Sequence, residues 1–266
     1  MIKIGFIGYG SMGSMLIKGF IHSGQVKQEQ LIVTRRDKSR LTEIKASWPN
    51  INITESLVEV AKKADMIFLC VKPKDYSGVL EEIKAYITQE KHIISITSGI
   101  SINYLESMLN TKITKIIPTL VSEVNEGITL ICHNKKVTDE DITIIQTILS
   151  GISKLKYINE EDFGFASDFT SCAPGFIAAI FKEFVEAGIR KTDSISDTDM
   201  EDMVLYTLLG TAKLMLEKNM KFDQVIKRVA VKGGITEEGV KVLEKGLPII
   251  FDDLIQTTNN KRVKGH

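Results

Sequence analysis

Little in this chain points to disulfide or metal chemistry. Its three cysteines, Cys70, Cys132 and Cys172, are odd in number and far apart, which excludes a closed disulfide framework and fits no zinc-ligand spacing. The four histidines never pair at close helical spacing, so no metal centre is expected. Neither sign of charge is in excess: 34 Lys and Arg balance 34 Asp and Glu, which excludes the basic footprint of a nucleic-acid or other polyanion binder. No apolar run approaches the roughly 18 residues that cross a bilayer. The opening MIKIGFIGYG lacks the apolar h-region and small-residue cleavage site of a secretory signal, so a cytoplasmic protein is expected. Internal repeats and low-complexity tracts are missing too, and only NNKRVKGH reads as a frayed tail.

What is present fits two modest domains, each with its own core. Up to Asn159, short apolar runs alternate with helical periodicity: IKIGFIG, LIVTRR, DMIFLCVKP, HIISITSGI, TKIIP, GITLICHN and KLKYIN read as strands. Such alternation predicts a parallel sheet with helices on both faces. MIFLCV, apolar without alternation, reads as a strand covered on both sides. Thr138 with Asp141 forms a capping box for a helix that presents Ile142, Ile145 and Leu149 and stops at Gly151. After Asn159 the strand signals end. PGFIAAIFKEFVEAGI places Phe176, Ile177, Ile180, Phe181 and Phe184 on one stripe. Thr198 with Glu201 marks a second cap, ahead of MVLYTLLGTAKLMLEKN, which is apolar over more than one face. A small helical domain has little room to bury such a helix, so a subunit interface is expected to cover it.

Gly8, Gly10 and Gly13 form G-x-G-x-x-G between the first strand, KIGFI, and the helical pattern of Met15, Leu16 and Phe20. In that context the glycines allow a tight turn, close approach of a pyrophosphate and tight helix packing. The N–H groups of the helix start, at Ser11, Met12 and Gly13, then face the anion. A dinucleotide is the expected ligand; a glycine-rich structural turn is the plainer alternative. The choice of dinucleotide is made about 20 residues on, where an NAD site places an acid against the ribose 2′-OH. Here the second strand ends in Thr34, Arg35 and Arg36. Two guanidiniums and a hydroxyl suit a 2′-phosphate, each charge-assisted hydrogen bond contributing about 1.5 to 3 kcal/mol. NADP(H) is therefore preferred, with some use of NAD(H) expected. The alternative leaves both arginines in a solvated turn and gives the ribose to Asp37. Val71, Lys72 and Pro73 end a later strand, and Ser98 with Gly99 the next, at the carboxyl edge where such sheets hold ligands.

The order GYGSMG, TRR, CVKP (70 to 73), SITSGI (95 to 100) and IIPTLVSEVNEG (116 to 127), then SCAPGF, EAGI, YTLLGTAKLMLE and VKGGITEEGVKVLEKG, resembles pyrroline-5-carboxylate reductase over nearly the whole chain. It most resembles the ComER-type late-competence branch, whose members carry S-C-small-P and V-K-G-G-x-T. The resemblance implies an α/β chain: an N-terminal Rossmann-type parallel-sheet domain for the dinucleotide over 1–159, then an all-helical dimerisation and substrate domain over 160–266. It implies an NAD(P)H-dependent oxidoreductase of proline biosynthesis that reduces the C=N bond of an imino acid, pyrroline-5-carboxylate, to give proline. The family forms a homodimer interlocked through the C-terminal helices, or a higher oligomer; neither nucleic acid nor membrane is an expected partner.

Hydride transfer to a C=N bond is chiefly a matter of positioning. The resemblance assigns the substrate to VKGGIT: Gly233, Gly234 and Ile235 bring backbone close to the carboxylate, and Thr236 sets its hydroxyl near the ring nitrogen. Thr236 as the ordinary N-cap of EEGVKVLEK is the structural alternative, and the two roles are compatible. The CVKP segment lines the nicotinamide end in the family, which makes Lys72 the second catalytic candidate; a solvated lysine at a strand end is the equal alternative. Thr207 and Gly210 match a family Q-T-x-x-G helix pattern in which Tyr206 replaces glutamine, and helix packing is the reading there. Cys172, ahead of Pro174 at a helix start, reads as a small buried thiol, since no histidine is arranged beside it to make a nucleophile.

Three departures fall at the active-site motifs. The family's P-N-T-P appears as Pro118, Thr119, Leu120 and Val121; its S-G-S-G-P-A-Y as Thr170, Ser171, Cys172, Ala173, Pro174, Gly175 and Phe176; its S-P-G-G as Val231, Lys232, Gly233 and Gly234. Each lost hydrogen bond is worth about 0.5 to 1.5 kcal/mol. Two readings stay open: an active NADPH-dependent imine reductase, and a weakly active or inactive homologue that still binds NADP(H) and serves a regulatory role in competence or development. A more distant reading, a β-hydroxyacid-type dehydrogenase using Lys182, is opposed by the glycine-threonine motif.

Overall fold

The computed structural model describes residues 1–37 and 41–264, in two compact units, 1–174 and 175–266. The strands of the first are β1 (Ile4–Ile7), β2 (Leu31–Thr34), β3 (Asn52–Ile53), β4 (Met66–Leu69), β5 (His92–Ser95), β6 (Lys112–Ile117), β7 (Gly127–His133) and β8 (Ser153–Tyr157). They form one sheet in the order β3-β2-β1-β4-β5-β6-β7-β8, which contains the strand order of a dinucleotide-binding domain. One junction departs from the parallel sheet expected: β7 runs antiparallel to β6. Only residues 118–126 separate the two, too few for the crossover that parallel neighbours need. The two-residue edge strand β3 is too short to leave a periodic signal.

IGFI, LIVT, MIFL and HIIS are buried along their whole lengths, as strands covered on both faces must be. The helices that cover them are α1 (Ser11–His22), α2 (Leu41–Ser47), α3 (Leu57–Lys63), α4 (Tyr76–Ile83), α5 (Ile102–Met108) and α6 (Asp139–Ser150). Alternate strand positions feed two cores. Ile4, Phe6 and Phe68 meet Leu16, Ile44 and Ile145 from α1, α2 and α6; Ile7, Ile67 and Leu69 meet Val60, Leu80 and Leu105 from α3, α4 and α5. In the first core Phe6 stacks on Phe68 at 4.8 Å and Phe20 meets Phe68 edge-on at 5.6 Å, geometries that add to simple burial. The capping box of α6 is formed: the Asp141 N–H donates to Thr138 Oγ1 at 3.3 Å and the Thr138 N–H to Asp141 Oδ2 at 2.9 Å.

The first unit continues past Asn159, because Phe163 of α7 (Phe163–Ala166) packs with Ile117 and Leu130 against the sheet. The second unit holds most of α8 (Ala173–Ile189) and all of α9 (Asp197–Glu217), α10 (Phe222–Val229) and α11 (Ile235–Lys264). Ser196, not Thr198, caps α9, its Oγ accepting the Asp199 N–H at 3.1 Å. Both residues stand three before an acid, and the earlier one wins by taking the extended backbone a cap requires. The expected frayed tail is helical through Lys264; Gly265 and His266 lie outside the described residues. Val185 is the sole buried apolar side chain among the described residues of this unit, and Ile177, Ile180 and Phe184 of the predicted stripe are exposed. Among the described residues no helix is long and apolar enough to cross a membrane.

Candidate active site

Ile7 at the end of β1 lies beside Leu69 at the end of β4, the point where strand order reverses and open α/β sheets hold ligands. Gly8 follows with φ +109°, and a Cβ there would lie 2.4 Å from the Cys70 carbonyl oxygen, so no other residue fits. A Cβ on Gly13 would lie 2.6 Å from the Gly8 carbonyl oxygen, which is why α1 can start directly against the loop. Gly10 is different. Where its Cβ would stand, no atom of the described residues beyond its two chain neighbours comes within 4 Å, so the glycine leaves space for an approaching group. Ser11, Met12 and Gly13 form the first turn of α1, and their N–H groups have no acceptor within the helix.

Thr34 is buried at the end of β2, and its carbonyl accepts the Gly8 N–H at 2.9 Å, which joins the glycine loop to the arginine turn. The two arginines then separate. Arg35 keeps Nη2 3.9 Å from Asp37 Oδ2, while its Nε is buried without a hydrogen-bond partner among the described residues. Arg36 is 77% exposed and meets Asp75 Oδ1 at 2.6 Å. A buried guanidinium N–H with no acceptor among the described residues is the kind of orphan a phosphate oxygen satisfies. The loop and the turn together thus fit a phosphorylated dinucleotide.

Val71, Lys72 and Pro73 follow β4, with the Lys72 side chain exposed. Pro73 stands 3.7 Å from the Cβ position of Gly99, so the turns after β4 and β5 meet, with Ser98 exposed beside them. Two residues not singled out from the sequence fix these turns. The Tyr76 hydroxyl donates to the Leu69 carbonyl at 3.0 Å and pairs with Ser95 Oγ at 3.0 Å; burial pushes the Tyr76 phenol pKa up, which keeps it a neutral donor. Lys115 is only 2% exposed and donates through Nζ to the Ser98 carbonyl at 3.0 Å and to Glu160 Oε1 at 2.8 Å. A cleft of about 580 Å³ beside it is lined by Ser98, Ser101, Lys115, Asn159 and Glu160. The available signal was a lysine inside the apolar run ITKIIP.

In the second unit Gly233 has φ +78°, a left-handed turn that favours glycine. Its N–H donates to Glu237 Oε2 at 2.8 Å, and the Gly234 N–H donates to the Val231 carbonyl at 2.9 Å. Both glycine N–H groups are therefore engaged within the motif, which leaves the carboxylate to the donors of the helix start. The unsatisfied donors of the α11 start are those of Ile235, Thr236 and Glu237. Thr236 is the second residue of the helix, so it is not the N-cap, and its side chain is exposed.

Three other expectations are also located. Cys172 is exposed, not buried, because it lies in the turn leading into the open-faced helices. Thr119 is buried, its hydroxyl donating to the Thr170 carbonyl at 3.3 Å, so two departing positions are tied to each other. Lys182 pairs with Glu186 one helical turn on, largely in solvent.

Residues 160–264 match the family model for pyrroline-5-carboxylate reductase dimerisation, and residues 3–99 match the model described as NADP oxidoreductase, coenzyme F420-dependent. The chain is 35% identical, over 98% of its length and 96% of the relative's, to Pyrroline-5-carboxylate reductase 3 of Bacillus subtilis (strain 168). The chain belongs to the pyrroline-5-carboxylate reductase family. It is also 32% identical, over 98% of its length and 95% of the relative's, to ComE operon protein 4 of the same organism. Among solved structures, the Plasmodium falciparum pyrroline carboxylate reductase with NADP bound matches with a TM-score of 0.85 at 27% identity, covering 99% of this chain and 96% of that one. The reductase dimerisation model begins at residue 160, where the strand signals of the sequence stop, while Phe163 still packs on the sheet.

Proposed function

We propose that this member of the reductase family is an NADPH-dependent reductase of a cyclic imine, converting pyrroline-5-carboxylate to proline. The observation that carries the reading is the open space at Gly10 together with the Nε of Arg35, buried with no partner among the described residues, both at the carboxyl edge of the sheet in a chain related end to end to such a reductase.

NADPH, when bound, supplies the hydride for the imine carbon. Gly8, Gly10 and the N–H groups of Ser11, Met12 and Gly13 hold the pyrophosphate. Thr34, Arg35 and Arg36 hold the 2′-phosphate, Arg35 through its buried Nε; NADH uses the same loop without that contact. Val71, Lys72, Pro73 and Ser98 border the nicotinamide end. At the start of α11 the N–H groups of Ile235 and Thr236 take the substrate carboxylate, Gly233 and Gly234 keep the approach free of side chains, and the Thr236 hydroxyl serves the ring nitrogen. Thr236 and Lys72 are the catalytic candidates. Residues 1–159 act as the dinucleotide domain and 160–266 as the dimerisation and substrate domain of a cytoplasmic homodimer.

A second reading, a NADP(H)-binding homologue with little turnover and a regulatory role, is favoured by one group of observations. Val231 and Lys232 stand where the family motif carries serine and proline, and full-length likeness extends to ComE operon protein 4. Initial rates with pyrroline-5-carboxylate, following oxidation of NADPH and NADH in parallel, separate the readings when calorimetry measures cofactor binding alongside. Turnover with NADPH favoured supports the reductase. Tight NADPH binding without turnover supports the second reading and overturns the first.

A further inference from the structure

We propose that Lys115 and Glu160 are positioning residues for the turn between β5 and α5, acting through both of its ends to set Ser98 at the nicotinamide side. The proposal deepens the reductase reading and rests on its placement of Ser98.

A lysine in the middle of β6, flanked by Thr114, Ile116 and Ile117, all buried, is costly to desolvate and persists only with compensating partners. Those partners come from separate elements. Ser98, in the turn after β5, gives its carbonyl; Glu160, in the segment after β8, gives Oε1. Phe163 of α7 gives its ring face, 5.5 Å from Nζ. Glu160 Oε1 also accepts the Ile102 N–H at 2.8 Å. One carboxylate and one ammonium thus grip the turn at residues 98 and 102, from its carbonyl side and its N–H side.

Helix capping accounts for the Ile102 contact with Glu160 but not for Lys115. Ser101 already caps α5, its Oγ accepting the Tyr104 N–H at 3.1 Å. Nor does stability require it: Lys115 is buried while Glu160 is 28% exposed, and a buried charge with its partner replaced by well-packed apolar side chains is often neutral or stabilising. What the pair does that an apolar pair cannot is fix the direction of the Ser98 carbonyl and the Ile102 amide at the same time. With Pro73 against Gly99 on the other side, the turn has little freedom left.

The test compares Lys115→Met, Lys115→Arg and Glu160→Gln with the unaltered protein, reading kcat, KM, calorimetric NADPH affinity, thermal midpoint and the nicotinamide emission of bound NADPH. Lys115→Met is expected to lower kcat about tenfold or more while NADPH affinity stays within about threefold, because misplacement at the reacting end costs rate and the phosphates are held elsewhere. Its bound NADPH should emit more like free NADPH. Lys115→Arg keeps the charge and the donors and should restore both kcat and emission. If Lys115→Met fails to fold, Glu160→Gln carries the comparison, since it keeps an acceptor for Ile102 but loses the charge.

A folded variant with a lower thermal midpoint but unchanged kcat and emission would make the pair merely structural and overturn the proposal. A fall in kcat that Lys115→Arg does not rescue would overturn it too. Should the unaltered protein bind NADPH without turning over pyrroline-5-carboxylate, the reductase reading fails by itself, and the emission decides here: a change in Lys115→Met supports the proposal, no change overturns it. No NADPH binding at all overturns both.

Discussion

Arg36 Nη2 lies 2.6 Å from Asp75 Oδ1, so a side chain suited to a 2′-phosphate already holds a carboxylate from the turn after β4. The pair is open on the arginine side, and exposed pairs of this kind contribute about 0.2 to 1 kcal/mol. A phosphate dianion can displace such a partner, but only after giving up that amount. Asp75→Asn should therefore raise the ratio of kcat/KM for NADPH over NADH by about two- to fivefold. A lower ratio in the variant would mean that Asp75 aims Arg36 at the phosphate instead of competing with it.

Gly10 and Gly13 of the phosphate loop should fail in different ways. Gly13→Ala puts a methyl against the Gly8 carbonyl, and overpacking of this sort costs about 1 to 3 kcal/mol, visible as a lower thermal midpoint. Gly10→Ala crowds none of the described residues, so its midpoint should hold while NADPH affinity falls about tenfold, the methyl standing where the pyrophosphate approaches. Calorimetry and thermal melts on both variants check this, and the reverse pattern would remove Gly10 from the cofactor site.

Thr236 caps nothing and faces solvent in the first turn of α11. Thr236→Val should accordingly leave the thermal midpoint nearly unchanged. If its hydroxyl serves the reacting nitrogen, kcat/KM should fall by about tenfold or more, the value of one hydrogen bond to a charged group. Unchanged efficiency in steady-state assays takes Thr236 out of the site.

Thr114 Oγ1 stands 2.6 Å from His92 Nε2 and 2.7 Å from His133 Nδ1. Burial, above all, pushes the His92 pKa down to about 4; His133 and Lys112 push the same way and Asp141 opposes. Burial lowers His133 as well, again against Asp141. The fold therefore favours neutral rings. Their stabilisation is complete above the unfolded value of about 6.5 and is lost as pH falls toward the folded one. From His92 alone the loss by pH 4 is at most roughly 3 kcal/mol. Urea unfolding across this range should show stability falling with pH, and His92→Gln should flatten the curve. Equal slopes would assign acid sensitivity to other groups.

Local signals were the legible ones. IGFI and MIFL read as strands because both faces are covered, and Thr138 with Asp141 read as a cap because the two bond to each other three residues apart. The glycine loop was legible because each glycine meets a different steric demand within six residues. The direction of β7 was not, since it depends on connection length, not composition. Lys115 and Glu160 lie 45 residues apart, and nothing in either neighbourhood names the other. At the substrate motif, Gly233 and Gly234 read as backbone open to a close approach, and the sequence showed neither the left-handed turn at Gly233 nor Glu237 bonded to its N–H.

The helices after residue 174 leave Tyr206 73% exposed, with Leu209, Leu216, Phe222 and Ile250 also in solvent. A chain segment of this size with so little buried apolar surface does not stand alone, and apolar surface of this extent marks an interface. The reductase dimerisation model over the same residues names the partner that fits, a second copy. Sedimentation of the unaltered protein should therefore give a dimer or larger. Tyr206→Glu combined with Leu209→Glu should weaken association about a hundredfold or more, because burying unpaired carboxylates costs several kcal/mol. The thermal midpoint should fall with the assembly and recover at higher protein concentration, as linkage between folding and association requires. A stable monomer at every concentration would mean that something other than a second copy covers these helices.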